Sequence, residues 1–323
     1  MEVEQVITGE KGVESLVLTG GERTTADLYV DASGFRSELL GRALGVPFKS
    51  YKDTLYCDKA VISAWLRTTE PIKPYTVAET MDHGWSWQIE HETMINRGYV
   101  YSGHFTDDET AREEYLRKNP QANPAETRIV KFRSGRFETM WQGNVVAIGN
   151  SSGFVEPLEA SSLQVIILQS RSLADCLLDS QQRPTPSVQA FYNRVITASW
   201  DEVRNFLAVH YKFNTRLNTP FWETCRREIS LGAVQELYEF YVENGPSGLA
   251  NNYLLSPQDP YGVDGYLALL LGQRVPHRRM GEIDPADMAA WRRMAHENAS
   301  TAEAGFTVKE ALAHIRRPDW SWS

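Results

Sequence analysis

The first thirty residues alternate between short apolar runs and glycine-bearing turns. VESLVL (13–18) and DLYV (27–30) are set apart by GEKG and TGGE, which predicts strands joined by tight connections. A strand ending at Asp31, an Ala-Ser-Gly turn and a helix from near Ser37 to a Gly45 cap come next. VISAWLRTT (61–69), GWSWQIE (84–90) and RGYVYSGHF (97–105) are β-branched and aromatic, and predict a sheet. DDETAREEYLRKNP (107–120) predicts a surface helix stopped by Pro120, and GNVVAIGN (143–150) a short buried strand. From about Leu163 the spacing turns helical: SWDEVRNFLAVHY (199–211) lines up Trp200, Val203, Phe206, Leu207, His210 and Tyr211 on one stripe. Asp284 and Pro285 open another helix, and Thr307 with Glu310 forms a capping box ahead of a last one that Pro318 stops. SQQRPTPS (180–187) is a weak linker candidate. The plan is α/β (α+β): strands, a sheet, a return strand and helix, then a helical C-terminal third.

Composition narrows the function. The chain has 323 residues, 42% hydrophobic and 23% charged, with a net charge of -9. The acidic balance gives no footing for general nucleic-acid binding. LQVIIL and YLALLLG are too short to span a bilayer, and Met1 is followed by Glu, Val, Glu and Gln rather than a signal-peptide pattern. A cytoplasmic protein is expected, with no membrane partner. Cys57, Cys176 and Cys225 fit neither a metal spacing nor a disulfide framework and read as reduced, buried or half-buried thiols. His83, His91 and His104 have no ligand spacing, and His210 reads as a satisfied core residue. No metal site is expected.

The stretch GNSSGFVEPLEASSLQVIILQS (149–170) concentrates the chemistry. Gly149 lets a buried strand turn, and Asn150 to Gly153 permit close backbone approach. A helix over Leu163–Leu177, apolar nearly all round, is expected to be buried. Its unpaired first amides, with the helix dipole, make the residues before Leu163 an anion site, with the exposed amides of Ser161 and Ser162 as donors. Glu159, half-buried before that helix, is a candidate general base or acceptor for a substrate N–H. Glu156 reads as a turn or salt-bridge carboxylate. An ordinary strand–turn–helix connection with serine caps fits the same spacing.

Four segments carry a family resemblance. DLYVDASGFRSELL (27–40) resembles the strand and turn of FAD monooxygenases of the hydroxylase type. GNVVAIGNSSGFVEPLEASSL (143–163) resembles the second flavin-contact segment of flavin-dependent, tryptophan-type halogenases. GWSWQI (84–89) resembles their WxWxIP motif, and HYKFNTRLNTPFWETCRREI (210–229) their helical C-terminal region. The resemblance implies reduced FAD from a separate flavin reductase, oxygen, and bound chloride or bromide. It also implies a lysine that relays the electrophilic halogen to an electron-rich aromatic such as tryptophan or indole.

Carried over by position, Glu159 is the family's active-site glutamate, and Ser161 and Ser162 hold the halide. Asp31, Gly34, Gly149, Asn150, Pro157 and Leu163 lie at the flavin. Trp85 and Trp87 form a substrate-side wall. On a strand, Trp85, Trp87 and Ile89 share one side and Ser86 and Gln88 the other. A tryptophan pair in a sheet core is the alternative. Phe221 and Trp222 are further wall candidates, equally readable as core.

The implied fold is an incomplete FAD-binding monooxygenase-like domain with a substrate-side sheet and a helical C-terminal region. Its boundaries are 1–60, 61–140, 141–180 and 181–323, and a homodimer is compatible with it. The motif's final proline is Glu90 here, so the following loop should differ. No GxGxxG and no assignable relay lysine occur, so the reading expects an N-terminally truncated chain, roughly the C-terminal two thirds of the architecture, that binds FAD weakly or not at all and is inactive alone. A flavin-dependent aromatic hydroxylase and a non-catalytic remnant are the two alternatives.

Overall fold

The structure, a computed structural model, describes residues 2–252, 254–256, 259–279 and 283–321. Strands β1 (Val3–Gly9), β2 (Gly12–Leu18) and β3 (Arg23–Thr24) form an antiparallel meander. Strand β4 (Tyr29–Asp31) leads into a π-helical turn, Glu38–Ala43, capped by Ser37, and then β5 (Phe48–Ser50). The antiparallel sheet is built from β6 (Lys59–Leu66), β7 (Val77–Met81), β8 (Gly84–Glu90) and β9 (Met94–Tyr101). After α1 (Asp108–Lys118), β10 (Arg128–Lys131) completes it in the order β10-β6-β9-β8-β7. Then come β11 (Gly135–Phe137), β12 (Trp141–Gln142), β13 (Val145–Ala147) and β14 (Gly153–Phe154). The helices are α2 (Ser161–Asp179), α3 (Pro186–Lys212), α4 (Pro220–Glu228), α5 (Gln235–Asn244), α6 (Gly262–Gly272), α7 (Pro285–Glu303) and α8 (Val308–Ile315).

The expected sheet over 61–105 forms, and α1 sits where the 107–120 pattern placed it. Its buried face (Ala111, Glu114, Tyr115) packs on the sheet, so it is less of a surface helix than its charge suggests. Both expected C-terminal starts hold: Asp284 caps α7 with Pro285 following, and the Thr307–Glu310 box is made in both directions. The linker candidate is a tight turn between α2 and α3 in which Gln181 and Gln182 take left-handed φ of 51° and 61°. Helix α3 begins inside it at Pro186 and buries Trp200, Val203, Leu207 and Tyr211 in the main core. Cys57, Cys176 and Cys225 are free and buried. No helix among the described residues is long and apolar enough to cross a membrane.

One expectation is overturned. Helix α2 is not buried all round: Val165, Gln169, Leu173 and Cys176 face inward, while Leu163 and Ile167 are 67% and 68% exposed. The inward face includes a polar residue because the Gln169 amide ties α2 to the turn before it, accepting from Gly149 N (2.8 Å) and donating to Ser152 Oγ (2.7 Å). Apolar composition alone could not say which side of the helix would find neighbours.

The parallel pair β4–β13 (Val145 opposite Tyr29, Ala147 opposite Asp31) brings the 31–37 and 149–152 turns together. Asp31 locks them. One carboxylate oxygen accepts from Ser33 N (3.0 Å) and Ser33 Oγ (2.6 Å), the other from Leu39 N and Leu40 N (both 2.9 Å). Ser151 Oγ donates to the Asp31 carbonyl, and Ser37 Oγ to Ser151 O at 2.8 Å. Asp31→Ala should destabilise the chain by about 2–3 kcal/mol, since it strands buried donors, and Asp31→Asn by roughly 1 kcal/mol. Urea unfolding of the two variants checks this; equal stability to the parent would refute the lock.

Candidate active site

The connection from β14 to α2, GFVEPLEASS, runs between the sheet and α3, and its two carboxylates end in opposite environments. Glu156 is 1% exposed. Its Oε2 accepts from the Trp85 indole N–H (2.9 Å) and the Tyr211 hydroxyl (2.6 Å), while Oε1 has no hydrogen-bond partner among the described residues. Because Tyr211 gives its proton to Glu156, the contact between Cys57 Sγ and Tyr211 Oη (3.4 Å) has the thiol as donor. Burial raises the Glu156 pKa to about 7; the bonds from Tyr211 and Trp85 hold it from going further. Glu156 has no ion pair among the described residues, so it is not the salt-bridge carboxylate expected. A proline follows it, but the side chain turns inward to the indole of β8.

Glu159, three residues on, is 38% exposed. Its Oε1 lies 2.7 Å from His210 Nε2, and His210 Nδ1 is 3.0 Å from the Phe206 carbonyl. A carbonyl only accepts, so Nδ1 carries a hydrogen, and Nε2 is the nitrogen that faces the carboxylate. His210 is therefore not the self-satisfied core residue expected; it belongs to the site. Its position one helical turn beyond Phe206 gives Nδ1 the carbonyl it needs and aims Nε2 at the connection.

His210, Trp85, Tyr211, Trp222 and Leu158 line a cavity of about 180 Å³. That is well below the roughly 300–1,000 Å³ of pockets for drug-sized ligands, and suits a single small ring system. Trp85 is buried and Trp87 half-buried on one side of β8, but Ile89 is exposed, so the apolar wall ends at Trp87. On the other side Ser86 and Gln88 both accept from Arg97 (3.1 and 3.0 Å), as alternation requires. Glu90, at the expected proline position, forms a buried pair with Arg67, whose guanidinium also holds the carbonyls of Glu70, Pro71 and His91. Trp222 donates its indole N–H to Met81 O (2.7 Å), and Phe221 lies wholly in the core between Phe105 and Trp222.

Ala160, at φ 52°, starts α2 without a side-chain cap, so the first-turn amides have no capping side chain. Ser161 is buried rather than exposed, with its hydroxyl 2.7 Å from that of Tyr261, which stacks on Phe206 at 3.6 Å. Ser162 is half-buried. Upstream, Gly149 takes φ 67° and Asn150 is half-buried beside it; Gly34, at φ 69°, has open space where a Cβ would point. Asp31 and its turn border an open cavity of about 930 Å³. Of the sites named from sequence, 31, 34, 149 and 150 gather around the parallel pair and 85, 159, 161 and 162 around α2 and α3, while Pro157 and Leu163 stay exposed and Trp87 is half-buried farther along β8. Tyr211, His210 and Tyr261 are the residues that sequence reasoning missed. The first two lie in the HYKFNT segment, on the inner stripe of α3.

The family model for tryptophan halogenase matches residues 2–287. The chain belongs to the tryptophan halogenase family. It is 37% identical over 250 residues to the tryptophan 6-halogenase SttH of Streptomyces toxytricini, covering 76% of this chain and 47% of that protein. It superposes on MibH, a tryptophan 5-halogenase, with a TM-score of 0.88 and 38% identity, over 97% of this chain and 60% of that one. BrvH of Brevundimonas sp. BAL3, a flavin-dependent halogenase, gives 0.86 at 28% identity, over 98% and 64%. The fold is the mixed α/β fold of these halogenases, and the chain spans about half the length of the curated relatives it matches.

A buried carboxyl raised to about 7 makes stability depend on pH. The folded state keeps a proton that the unfolded chain releases near its usual value, so this contribution is full below about pH 4.5 and is lost as pH rises through about 7. Between pH 4.5 and 8 the loss amounts to about 3 kcal/mol. Glu156→Gln cannot titrate. The stability difference between parent and E156Q should therefore shift by about that amount between pH 5 and 8 in urea titrations; a pH-independent difference would show that Glu156 is not protonated in the folded chain.

Proposed function

We propose that this chain carries the halide and substrate side of a flavin-dependent halogenation of an electron-rich aromatic, tryptophan or another indole. The observation that carries the reading is the Glu159–His210 pair: His210 lines the small tryptophan-walled cavity, and Glu159 stands two residues before α2, which has no side-chain cap. Family membership and the tryptophan halogenases among its relatives support it.

The residues fit part of what the reaction requires. Gly34, Gly149 and Asn150 are small or amide-bearing and sit on two turns that the parallel pair joins, which suits the approach of a flavin. The sequence has no glycine-rich turn to seat its pyrophosphate. When bound, FAD in its reduced form, delivered by a separate reductase, would supply with oxygen the oxidising equivalents that make chloride or bromide electrophilic. The uncapped amides of Ser161 and Ser162 would hold the halide. Trp85 and Trp222 would clamp the flat ring. Glu159 would accept the ring N–H or take the proton the ring loses on substitution, with His210 passing or storing it; positioned acid–base groups of this kind contribute about 10²–10⁴-fold.

The test extends the chain upstream with a flavin-binding segment that carries a glycine-rich turn, supplies excess reduced FAD, oxygen, bromide and tryptophan, and reads products by mass. The expected result is a monobrominated product, recognised by bromine's paired isotopes, whose rate drops about 100-fold in Glu159→Gln and about 10-fold in His210→Phe. A hydroxylated product formed equally without halide would overturn the reading in favour of an aromatic hydroxylase.

A further inference from the structure

A second cavity lies on the far side of Cys57 and Phe105 from the first. It measures about 520 Å³ and opens between β5, the end of β9 and the segment before β11. Two of its lining residues, Ser102 and Ser134, are 0% and 6% exposed, and neither hydroxyl has a hydrogen-bond partner among the described residues. Backbone groups of both are engaged elsewhere: Ser102 N donates to His83 O (3.1 Å), Ser102 O accepts from Phe105 N (3.1 Å), and Ser134 O accepts from Tyr51 N (3.0 Å). Two unspent buried hydroxyls on one cavity are costly unless something enters to meet them.

The rim says what would enter. Lys52, Arg133 and His104 line the same opening, and neither Lys52 nor Arg133 has a carboxylate partner among the described residues. Arg133 stands over the Phe48 ring, its guanidinium carbon 3.8 Å from the centroid. Asp58 is the one acid on the lining, and its Oδ1 is engaged by Gly103 N at 2.7 Å. Lys52 and Arg133 against one carboxylate leave a single positive charge, matched by a monoanion. Tyr56, Phe105 and Phe132 supply flat apolar wall behind it. We propose that this cavity is a second small-molecule site, distinct from the tryptophan-walled one, that takes a planar aromatic monocarboxylate. Its carboxylate meets Arg133 and Lys52, its ring lies on the aromatic wall, and the Ser102 and Ser134 hydroxyls bond its polar edge. The proposal does not rest on the halogenation reading.

Isothermal titration calorimetry of the whole chain tests it with benzoate, its neutral isostere benzamide, and inorganic phosphate. Benzoate is expected to bind at least roughly tenfold more tightly than either of the others. Arg133→Gln, at an exposed position, should weaken benzoate by roughly tenfold, as should the double variant Ser102→Ala/Ser134→Ala, while His210→Phe in the other cavity leaves it unchanged. Thermal melts confirm that each variant folds; if the serine pair does not, Arg133→Gln still decides. No benzoate binding, equal binding of benzamide, a preference for phosphate, or sensitivity to His210→Phe with indifference to Arg133→Gln would each overturn the assignment.

Discussion

The carboxylate of Glu156 is the constraint from which the rest of the site follows. It is set where water does not reach, on a loop where it makes no ion pair among the described residues, and two donors from different parts of the chain converge on one of its oxygens. Burying a lone carboxylate costs several kcal/mol, more than two hydrogen bonds return, so its pKa climbs toward neutrality. What the fold obtains is position. The Trp85 indole cannot rotate without losing its acceptor, Tyr211 cannot leave without stranding both Glu156 and Cys57, and strand β8 is thereby fixed against helix α3. The small cavity exists because these three groups hold its walls apart at one spacing.

The same connection is held at its other end by a carboxylate used in the opposite way. Asp31 is as buried as Glu156 but spends both oxygens on four donors, three of them backbone amides of its own turn and the π-helical turn that follows. It is a fixed joint between β4 and β13. Between these two anchors, residues 149–160 cross from the parallel pair to α2 with little freedom, and Gln169 closes the remaining gap by bonding the Gly149 amide. Rigid anchorage at both ends is what allows Ala160 to persist at φ 52°, a conformation that costs an alanine energy. Helix α2 therefore starts abruptly, with no side-chain cap at Ala160 and the Leu163 amide donating to the Ala160 carbonyl (3.3 Å).

Much of this was legible in the sequence. The alternation in GWSWQIE gave strand, face and neighbours correctly as far as Trp87, and the helix starts at Asp284 and Thr307 follow from capping chemistry that is local. What was not legible depends on tertiary partners. Nothing in LEASSLQVIILQ says that Leu163 and Ile167 would remain outside while Gln169 went in, because apolar periodicity reports composition and not the neighbour. His210 read as core because it sits among apolar residues on a helix; only the fold reveals that Glu159, 51 residues earlier, ends at its Nε2. Glu156 was misread for the related reason that a carboxylate before proline is usually a surface turn, and a tryptophan 71 positions away is invisible from there.

The pair Glu156 and Glu159 shows how environment, not residue type, assigns work. They are separated by Pro157 and Leu158, and the turn sends one side chain toward the sheet and the other toward α3. The inward one meets neutral donors, an indole and a phenol, and is pushed toward the neutral acid. A group in that state holds geometry well but has no route for a proton to solvent. The outward one, at a partly exposed position, meets an imidazole whose other nitrogen is committed to the Phe206 carbonyl, with Nε2 2.7 Å from Glu159 Oε1. Exchanging their environments while keeping the sequence spacing would leave Trp85 and Tyr211 without their shared acceptor.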